Sequence, residues 1–207
     1  GVPFSFDIVG ICAQDHGVPP HGVSHLDFRH SLFKSSLDRN PFPHSLLYGR
    51  EEVPAPLNRL KCIAECAAEL PALEIYVMDS GMAAILGGSL DPQAILKERI
   101  IVLDLATSHT LGAALEKGEI AGFFEYHTRD ITLQRLETLV IDLADGELVH
   151  EEILKQGGHG AYVRKAFGFD RNEIIVVTGP KRRLIEKSRL PVQRGAPLGH
   201  HMMTGTA

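Results

Sequence analysis

The chain has no tryptophan, only four tyrosines and nine phenylalanines, three cysteines and no excess of positive charge. Each shortage excludes something. Lys and Arg number 21 against 26 Asp and Glu, a formal charge of −5. A nucleic-acid surface needs clustered cations and stacking aromatics, so no nucleic-acid partner is expected. Three cysteines, at positions 12, 62 and 66, make no disulfide framework and fit a reducing compartment, so a cytoplasmic location is expected. The apolar stretch Ser80 to Leu90 falls far short of the ~20 residues of a membrane span, and the N-terminus lacks the basic-then-apolar order of a signal peptide. No membrane partner is expected. What is present is an ordinary globular composition, 44% hydrophobic and 23% charged over 207 residues, enough for a core in one domain or two small lobes. The chain opens at Gly1 without an initiator methionine and reaches a strand pattern within four residues, which reads as a fragment.

Residues 4 to 13 are mostly apolar or β-branched, bounded by Pro3 and by the polar Gln14-Asp15-His16-Gly17; they predict a buried strand ending in a loop. Ser24 suits the N-cap of a helix carrying Leu26, Phe28, Leu32, Phe33 and Leu37. Four prolines between Asn40 and Pro56 exclude a continuous helix there. Leu60, Ile63, Ala64, Ala67 and Leu70 then recur at helical spacing as far as Pro71. A strand is predicted over 74–78, followed by Asp79-Ser80-Gly81 and a small-residue helix. Asp91-Pro92 marks the expected boundary between a first lobe, 1–92, and a second, 93–207. Beyond it come three strands, 99–104, 111–116 and 119–127, the last two joined by the two-residue turn Lys117-Gly118. Thr132 opens a helix that Asp145-Gly146 closes, and a shorter helix over 147–155 follows. Three glycines among residues 157–160 predict a loop whose backbone can approach a ligand. A strand over 173–177 then leads through Thr178-Gly179-Pro180 into a basic helix over 181–187, an anion-binding arrangement. The fold class is α/β, a mixed sheet with a three-strand meander flanked by the helices at 132–145 and 181–187. The strand ends at Gln14, Asp79, Asp104 and Thr178 are expected on one edge, because ligands in open α/β sheets bind beyond strand termini.

Asp104 either holds magnesium through water or caps its own turn. His109 either donates to a phosphate or is a turn residue. Asp15-His16 is a candidate catalytic pair if the carboxylate fixes the imidazole tautomer. His16, His21, His25 and His30 fall in one fifteen-residue stretch. His21 and His25 share a helix face, with Asp15 or His159 as a third metal ligand, but no usual zinc motif appears. They read as loop and surface histidines, and a metal-dependent hydrolase built on Asp15, His16 and nearby histidines is the alternative function.

The Asp104 to Thr110 turn within a meander, followed by Val176-Val177-Thr178-Gly179-Pro180, resembles the phosphate hairpin and adenosine motif of the actin, Hsp70 and sugar-kinase superfamily. That resemblance implies an actin-like ATPase fold, ribonuclease H-like, with ATP and magnesium as cofactors. It implies that Asp104 holds the hydrated metal and that Gly179 lets the backbone pass close to the nucleotide. A phosphotransferase and a non-catalytic nucleotide sensor both fit it. Over nearly its whole length the chain also resembles an uncharacterised prokaryotic family described as putative pyruvate formate-lyase activating enzymes. The matching blocks are Gln14-Asp15-His16-Gly17, Asp79-Ser80-Gly81 with Ala83-Ala84, Asp104 to Thr110, Gly157 to Tyr162 and Thr178-Gly179-Pro180.

Full-length members carry an N-terminal hairpin with a first Asp-x-Gly phosphate turn, which implies that this chain lacks half of the phosphate site, binds nucleotide weakly at Asp104 and Gly179, and does not turn it over alone. Radical activation needs cysteines spaced Cys-x-x-x-Cys-x-x-Cys; here position 69 is Glu. Cys62 and Cys66 read as small core residues, and no iron–sulfur cluster is expected. The expected partner is a small-molecule phosphate ligand. Its binding set is Asp79, Asp104, His109, Thr110, Gly158, His159, Thr178 and Gly179, with Asp15 and His16 as the catalytic candidates.

Overall fold

The computed structural model describes residues 4–195 and 200–206; Pro3, expected to bound the first strand, lies outside them. Strands β1 (Phe6–Cys12), β2 (Leu47–Gly49) and β3 (Ala72–Met78) form a three-stranded sheet in the order β1-β3-β2, with β1 parallel and β2 antiparallel to β3. Helices α1 (His25–Arg39), α2 (Asn58–Ala67) and α3 (Ser80–Ser89) accompany it. The second sheet has six strands: β4 (Arg99–Leu105), β5 (His109–Glu116), β6 (Glu119–His127), β7 (Gly158–Val163), β8 (Ile174–Thr178) and β9 (Val192–Arg194). Their order is β7-β6-β5-β4-β8-β9, antiparallel from β7 to β4 and parallel from β4 to β9. Helices α4 (Leu133–Asp145), α5 (His150–Lys155) and α6 (His201–Thr206) complete the described chain. The molecule is a mixed α/β protein with mixed sheets, and no described helix is long and apolar enough to cross a membrane.

The unbroken apolar runs of β4 and β8 follow from burial on both faces. Ile101, Leu103, Ile175 and Val177 pack with Leu136, Leu139, Val140 and Leu143 of α4. Ile100, Val102 and Val176 pack on the other side with Met82 and Ile85 of α3, in a core that also takes in Phe33 and Leu37 of α1. That core therefore continues across Asp91-Pro92. Local chemistry sets the element ends as the sequence suggests. Ser24 and Thr132 accept helix N–H groups as N-caps, and Gly146 closes α4 in the left-handed region at φ 76°. Lys117 and Gly118 turn the β5–β6 hairpin with φ of 54° and 80°, as a type I′ turn requires.

The sequence reading needs correction in several places. The three-strand meander is present as β4, β5 and β6, and β7, which follows α4 and α5, adds a fourth antiparallel strand beside β6. Residues 158–160, expected in a loop, open β7. Their glycines make room: a Cβ on Gly158 would strike the Tyr126 ring and one on Gly160 the His150 ring. The basic helix expected over 181–187 is a 3-10 turn, Arg182–Ile185, tied to the end of β4 where the Lys181 N–H donates to the Leu105 carbonyl at 2.8 Å. Cys62 and Cys66 are exposed on α2, whose buried side is Leu60, Ala64 and Ala67. Neither β9 nor α6 was anticipated. Helix α6 lodges against α3, where a Cβ on Gly87 would overlap the His201 carbonyl and one on Gly205 the Ala83 carbonyl.

Candidate functional site

The four strand ends meet. The Ser80 N–H donates to the Ala13 carbonyl at 3.2 Å, and the Asp15 N–H to Asp79 Oδ2 at 3.3 Å. Gln14 Nε2 lies 3.0 Å from His109 Nδ1, and Asp104 stands in register with Thr178 across β4 and β8. Gly179, at φ +92°, lets its turn close on the neighbouring one; a Cβ there would stand 2.5 Å from the Leu105 oxygen and 2.7 Å from Asp104 Oδ1. Between these ends lies a cleft of about 310 Å³ lined by Gln14, Ser80, Asp104, Ser108, His109 and His200, among others.

Asp104 faces this cleft. Burial pushes its carboxyl up from the ordinary range, an effect that the His200 hydrogen bond to Oδ1, 2.8 Å, opposes. The N–H groups of Thr107 and Ser108 donate to no protein acceptor among the described residues. Thr110 does not face the ligand space: its hydroxyl meets Thr128 Oγ1 at 3.1 Å, and Thr128 donates to the Ala106 carbonyl at 2.8 Å, which fastens the turn from beneath. Thr178 Oγ1 likewise accepts from the His201 N–H at 3.1 Å, and His201 Nε2 lies 2.8 Å from Asp91 Oδ2. These two threonines shape the cleft without lining it.

Beneath it lies a buried charge network. Arg29 donates to both Asp79 oxygens, at 2.9 and 3.3 Å, to Glu125 Oε2 at 3.3 Å and to the Asp15 carbonyl at 2.5 Å. Burial alone would raise the Glu125 carboxyl, yet Arg29 and the neighbouring His159 hold it well below the usual carboxylate range. Burial likewise works against the Arg29 cation, and Asp79 and Glu125 more than restore it. Asp79 also caps α3 through Gly81 and Met82, so its carboxylate is committed before any ligand arrives.

The Asp15-His16 pairing is not formed. Both Asp15 oxygens accept backbone N–H groups, Oδ1 from Gly17 and Oδ2 from Leu60, each at 2.9 Å. His16 instead lines a second cavity, of about 690 Å³, with His25, Arg59, His109, His127 and His159. His109 stands in the wall between the two spaces, and burial lowers its imidazole to about 4. His159 opens on the second space and meets the Asp104 to Thr110 turn only at its far end, with its ring centre 4.9 Å from that of His109, while Gly158 packs on Tyr126. The histidines that converge are also not His21 and His25 but His109, His127 and His159, with one ring nitrogen from each within 4.8 Å of the others.

Sequence reasoning singled out neither Arg29, Glu125, His127 nor His200. For two of them a signal existed. Arg29 shares the α1 spacing of Phe33 and Leu37, a cation on the buried stripe, and Glu125 is an acid within the buried stretch of β6, between Phe124 and Tyr126.

Fold and site thus define a mixed α/β protein with a ligand-sized cleft beyond its strand ends. The chain belongs to the family described as putative pyruvate format-lyase activating enzyme, whose profile matches residues 1–184. No curated protein matches it.

Proposed function

We propose that this chain is a nucleotide- or phosphate-binding protein of the actin-like ATPase superfamily, with two lobes divided near Asp91-Pro92. The reading rests above all on the turn between β4 and β5. There Thr107 and Ser108, whose N–H groups have no protein acceptor among the described residues, line the same cleft as Asp104. Backbone donors in such a turn suit phosphate oxygens. A carboxylate at its base suits a hydrated magnesium ion, a hard cation that keeps several waters and takes one or two protein oxygens. Asp104 would hold that ion, which neutralises phosphate charge when bound. His200 keeps the Asp104 carboxylate oriented, and Gly179 lets the turn after β8 close on Leu105 and Asp104.

Radical chemistry on an iron–sulfur cluster is not supported by the donor set. A cluster of that kind takes thiolates from closely spaced cysteines, and here Cys62 and Cys66 stand on the exposed face of a regular helix, with Glu at position 69. Calorimetric titration of the full chain with ATP and magnesium tests the proposal. Saturable binding that Asp104→Asn weakens at least about tenfold, a loss of one charge-assisted contact, is expected. Absence of binding to ATP, ADP and inorganic phosphate alike overturns it.

A further inference from the structure

We propose that His109, His127 and His159 form a binding site for a divalent transition-metal ion of the zinc class, opening on the second cavity across the His109 wall from the Asp104 cleft and independent of the nucleotide reading. Three neighbouring strands each deliver one imidazole to the same sheet edge. His109 opens β5, His127 ends β6 directly opposite it in register, and His159 enters from β7 at the irregularity beside Glu125 and Tyr126. The ring centres lie 4.9, 4.9 and 4.3 Å apart.

Two features point to a ligand instead of chance crowding. His109 Nε2 and His159 Nδ1 are both buried with no hydrogen-bond partner among the described residues, although a buried polar atom is normally satisfied. His159 itself is only 8% exposed, and Glu125 Oε1, at 3.7 Å from its Nδ1, is beyond hydrogen-bond reach. The outer partner of a metal-bound histidine is also in place on His109, where Gln14 meets Nδ1, the nitrogen opposite the unpartnered Nε2. Ligation through Nε2 of His109 puts the proton on Nδ1, which the Gln14 amide accepts by turning its oxygen inward.

Imidazole ligands select zinc, copper, nickel or iron over magnesium and calcium. Three protein ligands leave a fourth position, as in catalytic rather than structural zinc sites. All three histidines line the second cavity, where His16 and Arg59 also stand. The open position therefore faces a space able to admit water or a small anion.

The test uses the 207-residue chain without a histidine tag, stripped with chelator and titrated with zinc, then loaded with cobalt for visible spectroscopy. One zinc per chain is expected, with the intense bands of low-coordinate cobalt and a shift of those bands on adding azide. His127→Ala, at a half-buried strand end, and His159→Ala should each weaken zinc binding at least about 100-fold. His21→Ala and Asp104→Asn should leave it unchanged, which separates this site from the nucleotide cleft. Circular dichroism identifies any variant that fails to fold, and the wild-type stoichiometry does not depend on the variants. Substoichiometric zinc in the wild type, or binding that survives both histidine substitutions, overturns the site. Cobalt bands unmoved by azide overturn its open position.

Discussion

Arg29 is a cation that α1 carries into the interior at 4% exposure, where it is compensated by two carboxylates and one carbonyl. Such an arrangement is asymmetric in energy. Assembling it offers little net stability, because desolvation nearly cancels the attraction, but removing one partner strands the others. Arg29→Ala leaves Asp79 and Glu125 buried without their counter-ion and is expected to cost about 3–5 kcal/mol. Arg29→Lys keeps the charge, but it loses the fork that reaches both Asp79 oxygens and Glu125 at once, and it should fall between the two. Urea unfolding midpoints of the three proteins check this. A loss below about 1 kcal/mol for Arg29→Ala, the range of an exposed ion pair, would mean that the network contributes nothing special. Asp79 also caps α3, so the effect should extend to that helix.

Among the elements, α6 depends most on a single close approach. It has six residues, too few to persist alone, and it is held where backbone meets backbone at Gly205 and Gly87. Gly205→Ala places a methyl group against the Ala83 carbonyl and should push α6 off α3 at a cost of about 1–3 kcal/mol, as overpacking does. Because His200 immediately precedes α6, its bond to Asp104 should loosen as well. Amide exchange over 200–206 should then accelerate while far-ultraviolet dichroism hardly changes; unchanged exchange would refute the argument. The same element shows where sequence reading stops. Caps and turns that act through neighbours in the chain, at Ser24, Thr132, Gly146 and Lys117-Gly118, were legible. Gly158 and Gly160 were not, since their reason lies in the rings of Tyr126 and His150, which only folding brings there. Convergence of the strand ends at Gln14, Asp79, Asp104 and Thr178 was legible as well. The joining of His109, His127 and His159 required the β5-β6-β7 register, which no local pattern encodes.

At the scale of the whole molecule, the two sheets are bound by a shared core and by ionisable groups buried where α1 meets the second sheet, so the pH of the solution acts on the joint itself. His30 of α1 is the clearest case. It stacks on His150 of α5 with ring centres 3.9 Å apart and lies near the Phe123 ring of β6. Burial lowers its imidazole to about 4, His150 and Lys34 push the same way, and Asp27 and Glu151 oppose them only in part. The unfolded chain takes up this proton near 6.5, whereas the folded chain refuses it until about pH 4. Between those values the unfolded state binds more protons, so stability falls as the pH drops from 6.5 to 4 and is unaffected by this group above that window. The loss from His30 is on the order of 2 kcal/mol once solvent screening of a partly buried ring is allowed for. His109, lowered to about 4 by burial, adds in the same direction. Glu125 behaves differently. Its depressed folded value means that its contribution is fully present above the ordinary glutamate range and fades only in stronger acid. Urea midpoints at pH 8, 6.5, 5 and 4 should therefore be level between the first two and decline through the last two, and His30→Phe should remove part of that decline while leaving the midpoint at pH 8 nearly in place. A profile flat from 6.5 to 4, or a decline that His30→Phe leaves untouched, would show that the α1–α5 contact does not exclude protons as its geometry requires.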